Sequence, residues 1–282
     1  MPEIWLRYGN TNVVLDIKFE NLANHISSTF QVPQEQDIKT AITSGVPLTD
    51  KMLFLGLSGS KAAAKIIMML AEEAGTRGLS FTIDVPHKIA STLRSNLNGI
   101  ETISINRIGY QSLNERMAKF QNTIIVSSVA YDPLFGFAGA PTTLLRNLLA
   151  DQMAEAFKAR KDNRPAPGVK GDPLKIATSA IESIPAISIE LVANGDNVVG
   201  IHIGSIKEAF DKAIAQLRSI SAVEAEPAKY AIISASDEAS THSTLASALN
   251  SLWNSIHIVK EGGTAILLAE TREGVGGGAL QM

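Results

Sequence analysis

The chain has 282 residues, with 25 Lys and Arg against 28 Asp and Glu, a net charge of −3, and no Cys. The lack of Cys excludes disulfides, thiolate metal sites and a Cys nucleophile. The nearly balanced charge gives no basic footprint for nucleic acid, and no apolar run reaches the roughly 18 residues of a membrane span. We therefore expect a cytoplasmic protein whose partners include neither nucleic acid nor a membrane.

The N-terminal segment is predicted to form a hairpin. Two short β-type segments, 4–8 and 13–17, flank Gly9-Asn10-Thr11-Asn12, which is a turn-forming cluster. A short helix that ends near Thr43 is expected next.

From residue 52 onward, predicted strands and helices alternate. The run 52–57 is apolar throughout, as expected of a strand that is buried on both faces. The elements that follow it are helix 60–75, strand 79–84, helix 87–97, strand 102–106, helix 111–121 and strand 123–128. Strands that are joined through helices need right-handed crossovers, which predicts a mostly parallel sheet with flanking helices in a large N-terminal α/β domain.

The second half of the chain is predicted to complete this domain and to begin a smaller one. Residues 140–182 read as mostly helical, and the basic, Pro-rich segment 160–168 interrupts them as an exposed loop. A hairpin over 186–203 and a helix over 205–220 follow. A boundary near 222 then separates the predicted domain 1–222 from a smaller C-terminal α/β domain, 223–282.

Ligands in open α/β sheets bind outside the carboxyl ends of the strands, so the residues that follow each strand are candidates. Ser58-Gly59-Ser60-Lys61 comes after strand 52–57. Small residues at the start of a helix let backbone N–H groups approach an anion. The segment matches neither the P-loop nor the dinucleotide-binding pattern, and an ordinary helix start is an equally good interpretation.

Two further candidates lie after later strands. His87 follows strand 79–84 and Asp84, and its imidazole suits acid–base work, although a His at the start of a surface helix is the simpler interpretation. The stretch 131–143 holds two Gly and two Phe before a helix with Pro near its start. Such a loop either wraps a ligand, with Gly136 and Gly139 giving backbone access, or turns the chain and fills the core.

The Gly-rich end offers a last anion-binding candidate. Arg272 precedes it and is able to pair with a carboxylate or a phosphate, whereas beyond residue 276 a disordered terminus is the better interpretation. No metal site is predicted, because no spaced pair typical of a helical metal site is present among the remaining histidines, His25, His202, His242 and His257.

Three motifs resemble the nickel-dependent lactate racemase family. They are Arg7-Tyr8-Gly9-Asn10, Gly136-Phe137-Ala138-Gly139-Ala140, and Lys260-Glu261-Gly262-Gly263-Thr264 followed by the Gly-rich end. The resemblance implies two α/β domains with an active site between them. It also implies racemisation or epimerisation of 2-hydroxyacids with a nickel pincer nucleotide that is tethered to a Lys.

The resemblance matches the family at one functional position and departs from it at the others. His87 falls on the first acid–base His of the family, whereas Asp132 falls on the second and Thr142 falls on the tethering Lys. The nickel-ligand His has no counterpart, because no His lies between His87 and His202. The resemblance thus implies a nickel pincer nucleotide for which the tethering Lys and the nickel-ligand His are absent, and no cofactor is predicted.

We therefore predict a lactate-racemase-like protein without the nickel-dependent chemistry, which binds a small anionic ligand, an organic acid or a nucleotide, in an interdomain cleft. The predicted ligand-binding residues are Ser58, Ser60, Lys61, Gly136, Gly139, Thr142 and Arg272. One alternative is an active 2-hydroxyacid racemase, isomerase or lyase with His87 and Asp132 as its acid–base pair. Another is a non-catalytic subunit of a complex with a related enzyme. The sequence thus decides neither between a homo- and a hetero-oligomer nor whether the protein is a catalyst.

Overall fold

The structure is a computed structural model that describes residues 3–9, 11–26, 31–97, 99–160, 166–235 and 244–276. The strands are β1 (Glu3–Tyr8), β2 (Thr11–Asp16), β3 (Met52–Gly56), β4 (Phe81–Pro86), β5 (Ile103–Ile105), β6 (Asn122–Asp132), β7 (Gly136–Ala138), β8 (Ile187–Asn194), β9 (Asn197–Ser205), β10 (Ala228–Ser234) and β11 (Val259–Leu268). The helices are α1 (Glu35–Gly45), α2 (Lys61–Thr76), α3 (His87–Asn96), α4 (Tyr110–Met117), α5 (Ala140–Asn147), α6 (Ala150–Ala159), α7 (Asp172–Ile181), α8 (Ile206–Ser221) and α9 (Leu245–Ser255).

The chain divides into two compact units. The larger one comprises residues 30–130 and 134–220, and the smaller one comprises residues 1–29, 131–133 and 221–282. The sequence placed a boundary after residue 222, whereas the structure groups the N-terminal hairpin with the C-terminal elements. Long-range hydrogen bonds join them: Ser234 Oγ donates to the Arg7 carbonyl at 2.5 Å, and Asn24 Nδ2 donates to the Glu226 carbonyl at 3.0 Å.

The larger unit is built on a sheet with the strand order β5-β4-β3-β6-β8-β9, and β7 pairs with β6. The pairs from β5 to β8 are parallel, and β9 runs antiparallel to β8 through the predicted hairpin. The α/β class and the mostly parallel central sheet are thus confirmed. The strand order follows from the apolar sequence of β3, which is buried along its whole length and therefore lies in the middle of the sheet.

Helices cover both faces of this sheet. On one face, α1, α2 and α3 pack on alternate strand residues such as Phe54, Ile124 and Ile189, all buried. The opposite face carries the other residues of each strand. There α4 contacts β4 through Arg116, and α5 contacts β8 through the backbone N–H of Ala140.

The Gly- and Phe-containing loop is packed into the larger unit. Phe135 and Phe137 are completely buried. Gly136 has a φ of +85°, and a Cβ there would lie 1.9 Å from the Val169 carbonyl oxygen. Of the two interpretations given above, core filling describes these side chains.

The smaller unit contains two separate two-stranded sheets. β1 and β2 pair antiparallel, as predicted, and β10 pairs parallel with β11 in a βαβ arrangement through α9. Asn10, His242, residues 161–165 of the basic loop and residues 277–282 of the Gly-rich end lie outside the described residues. In the described part of the chain, no helix has the length and the apolar content that crossing a membrane requires.

Candidate functional site

The strand order of the larger unit defines a topological switch point at one edge of its sheet. From β3 the chain moves through β4 to β5 on one side, and from β6 it moves to β8 on the other side. Ligands of open α/β sheets bind where the order reverses, outside the carboxyl ends of the strands. Here that place lies where β3 ends beside the middle of β6, since Gly56 pairs with Val126.

Three serine hydroxyls meet at this switch point. Ser58 Oγ lies 3.1 Å from Ser60 Oγ and 3.4 Å from Ser128 Oγ, so the hydroxyls after β3 reach the one on β6. All three residues are half-buried. Ser60 also caps α2, because its Oγ accepts the N–H of Ala63 at 3.1 Å. The structure therefore brings the predicted residues Ser58 and Ser60 together with Ser128, which the sequence did not single out.

Lys61 lies at the same edge, but its charge is balanced within the chain. Its Nζ is 2.6 Å from Asp196 Oδ2 in the β8–β9 turn, and 62% of the Lys61 side chain is exposed. An exposed ion pair of this kind contributes little to stability and breaks readily. Lys61 thus has Asp196 as an anionic partner within the chain.

His87 and Asp84 have different roles, although they are close in sequence. His87 is exposed and begins α3 directly after β4. Asp84 is completely buried on the sheet, where both of its carboxylate oxygens accept from Arg116, at 2.8 and 2.9 Å. This bond raises the pKa of the Arg116 guanidinium. Asp84 is thus a structural partner of α4 and does not take part in a site with His87.

Two predicted site residues belong to the smaller unit. Asp132 is buried at the end of β6. Arg272 Nε lies 2.7 Å from Glu270 Oε1, and this carboxylate holds the pKa of Arg272 above its ordinary value. Arg272 therefore already has an internal anion as its partner, and the pairing of Asp132 with His87 stays a prediction.

The polar groups at the start of α5 are used by the chain itself. Thr142 is 1% exposed; its Oγ1 accepts from the Gly139 N–H at 3.0 Å and donates to the Gly139 carbonyl at 3.1 Å. A Cβ on Gly139 would lie 2.5 Å from the Phe210 ring. Close packing inside the protein thus explains the Gly-rich loop at both Gly136 and Gly139.

Glu190, like Ser128, is a residue that the sequence did not single out. It lies in the middle of β8, completely buried, and Oε1 accepts the N–H of Ala140 at 2.7 Å. Burial raises its pKa from 4.5 to about 8, while Ala140, Ser188 and Ser127 partly oppose that rise. The available signal was a single Glu in the apolar run Ile187–Asn194.

The residues present do not fit a nickel pincer nucleotide. Thr142, at the position of the tethering Lys, carries a hydroxyl that is enclosed and bonded to Gly139. Across the described ranges, no three His, Asp or Glu side chains converge in a group able to hold a metal ion. His202 follows the loop in sequence, but its Nε2 is bonded to Gln216 Oε1 at 2.7 Å.

Comparisons with known proteins identify a solved structure with a similar fold. No family model matches the sequence, and no curated protein matches it. Among solved structures, the lactate racemase apoprotein from Thermoanaerobacterium thermosaccharolyticum superposes with a TM-score of 0.77, covering 98% of this chain and 76% of that one, at 14% identity. The fold of the chain is therefore similar to that of this lactate racemase apoprotein. At this identity the likeness establishes the architecture alone.

Proposed function

We propose that this protein binds a small anionic ligand, an organic acid or a nucleotide phosphate, at the carboxyl edge of the larger unit's sheet. We further propose that it does not carry out nickel-dependent racemisation. One observation carries the binding proposal: the hydroxyls of Ser58, Ser60 and Ser128 cluster at the switch point, beside the start of α2.

The chemistry of this edge suits an anion. Serine hydroxyls donate hydrogen bonds, and backbone N–H groups in the first turn of a 16-residue helix carry a partial positive charge. Lys61 adds a mobile positive charge when it leaves Asp196. Carboxylates and phosphates are therefore the favoured ligands, since both accept several hydrogen bonds at once.

The other roles predicted from the sequence stay predictions. His87, exposed at the end of the neighbouring strand β4, is a candidate acid–base group, and Asp132 and Arg272 are candidates from the smaller unit. Acid–base isomerisation of a 2-hydroxyacid is the alternative function, and a non-catalytic subunit of a larger complex is another.

A titration followed by amide NMR tests the binding proposal. We expect L-lactate or inorganic phosphate to shift the amide signals of residues 58–62 and Ser128 along a saturable curve. Ser58→Ala removes a hydroxyl that would donate to the charged ligand, and such a bond contributes ~1.5–3 kcal/mol. The dissociation constant of the variant should therefore rise about tenfold or more.

Ser219→Ala is the matched control, because this exposed serine on α8 donates to the carbonyl of Gln216 at 2.8 Å. It should leave the affinity unchanged. Shifts that do not saturate, or an equal affinity in wild type and Ser58→Ala, would contradict the proposed site.

A further inference from the structure

A single side chain joins the start of α5 to the middle of the sheet. Glu190 Oε1 on β8 accepts the Ala140 N–H at 2.7 Å, and Glu190 is completely buried. Ala140 is the first residue of α5, directly after the packed loop 134–139. A change in the charge or shape of the Glu190 side chain therefore affects how this loop and helix are attached to β8.

The rest of the Glu190 carboxyl has hydroxyls beside it and no cation. Ser127 lies opposite Glu190 on β6, and Ser188 precedes it by two residues on the same face of β8. Glu190 Oε2 and the hydroxyls of both serines are buried and have no hydrogen-bond partner among the described residues. Both serine hydroxyls are able to turn and donate to an ionised carboxyl, which partly offsets the effect of its burial, but neither carries a positive charge.

The titratable groups around this cluster do not compensate a charge on Glu190. His202 faces Glu190 from β9, and its Nε2 is bonded to Gln216 of α8. Arg146 on α5 lies over the Phe135 ring, 5.5 Å from its centre. Within the described part of the chain, no ion pair includes Glu190.

A buried carboxylate without a cation is costly, so the proton stays on the group in the folded state. The protonated carboxyl offers one hydroxyl donor, and its carbonyl oxygen accepts from Ala140. The hydroxyl is then able to donate to Ser127 or Ser188 after a small rotation. The neutral acid thus bridges α5, β6 and β8.

We propose that Glu190 is a proton-dependent latch: its neutral carboxyl holds the start of α5 and the loop 134–139 against β8, and its ionisation releases them. In the released state, water hydrates the carboxylate and accepts the hydrogen bond from the Ala140 N–H in place of Glu190. The device acts on this segment, independently of anion binding at the Ser58 edge.

The latch predicts a specific pH dependence of local opening. In the open form the carboxyl ionises with an ordinary pKa near 4.5, whereas burial raises the pKa of the closed form to about 8. Between these values the open form loses its proton while the closed form keeps it, so opening becomes tenfold more favourable with each pH unit. Above pH 8 the increase ends.

Hydrogen exchange of the Ala140 amide tests the latch. After correction for the base-catalysed intrinsic rate, we expect its protection factor to fall about tenfold per unit between pH 6 and 8 in wild type. In Glu190→Gln, whose side chain keeps the shape and does not ionise, the protection factor should be constant. The Leu57 amide, bonded to the Val126 carbonyl at 2.8 Å in the same sheet, reports global unfolding, so local release requires the protection factor of Ala140 to be lower than that of Leu57.

Equal slopes in wild type and Glu190→Gln, or a constant protection factor in wild type, would overturn the proposal. If the variant does not fold, the 13C shift of the wild-type Glu190 carboxyl gives the answer. A protonated shift at pH 6.5 that titrates at alkaline pH supports the latch. An ionised shift at pH 6.5 rules it out.

Discussion

At pH 7.5, the free energy of unfolding of Glu190→Gln is expected to be up to ~4 kcal/mol higher than that of wild type, so the variant is the more stable protein. Near pH 5 the two proteins should be almost equally stable. Burial raises the pKa of Glu190 from 4.5 to about 8. Between these values the unfolded chain releases the proton and the folded chain keeps it. The wild type therefore loses stability as the pH rises through this window.

Glutamine avoids this loss because it does not ionise and is still able to accept from the Ala140 N–H. Urea unfolding at pH steps between 5 and 8 measures the difference between the two proteins. Glu208→Gln is the control: this exposed group on α8 accepts from the Ser205 hydroxyl, which lowers the pKa of Glu208. It is ionised in both states above pH 5, so its difference from wild type should not depend on pH. If the difference in unfolding free energy between Glu190→Gln and wild type did not change with pH, this would show that Glu190 does not keep its proton in the folded state.

Arg116→Met is expected to destabilise the protein by about 3–5 kcal/mol, because it leaves the charge of Asp84 buried without a partner. Asp84 is completely buried, and Arg116 supplies hydrogen bonds to both of its carboxylate oxygens. Methionine keeps most of the apolar stem that packs at this position, so the change reports mainly on the charge. Urea unfolding at pH 7 measures the loss.

The double variant Asp84→Asn/Arg116→Met should recover much of this loss, since it removes both charges together. Lys175→Met tests an exposed pair for comparison: Lys175 Nζ lies 2.9 Å from Asp172 Oδ1, and 76% of the Lys175 side chain is exposed. That change should cost less than ~1 kcal/mol. A loss of only that size for Arg116→Met would contradict the role given to the buried pair.

The sequence predicted the architecture of the larger unit well, because its strands carry strong local signals. β3 is a continuous apolar run, and the β8–β9 turn contains Asn194-Gly195, a pair that favours tight hairpins. The strand β7 was missed because three residues of a Gly-Phe loop carry no periodicity. The grouping of β1 with β10 was also missed, since it depends on contacts such as that between Arg7 and Ser234, far apart in the chain.

The candidate site was only partly accessible from sequence for the same reason. Ser58 and Ser60 were found because they follow a clear strand, but Ser128 joins them only through the pairing of β3 with β6. Asp84 looked like a neighbour of His87 until its partner, 32 residues away, was known. Glu190 carried no motif, and only its complete burial reveals its chemistry.

We propose that this chain binds a small anion on a fold similar to that of lactate racemase, without the nickel cofactor. Native mass spectrometry with metal analysis tests it most directly, on the chain co-expressed with the enzymes that make the nickel pincer nucleotide. We predict the mass of the bare chain, or that of the chain with a metal-free small anion. A nickel-containing adduct of the mass of the cofactor would contradict this proposal, because Thr142 and the donors around it would then hold a group that their geometry does not fit.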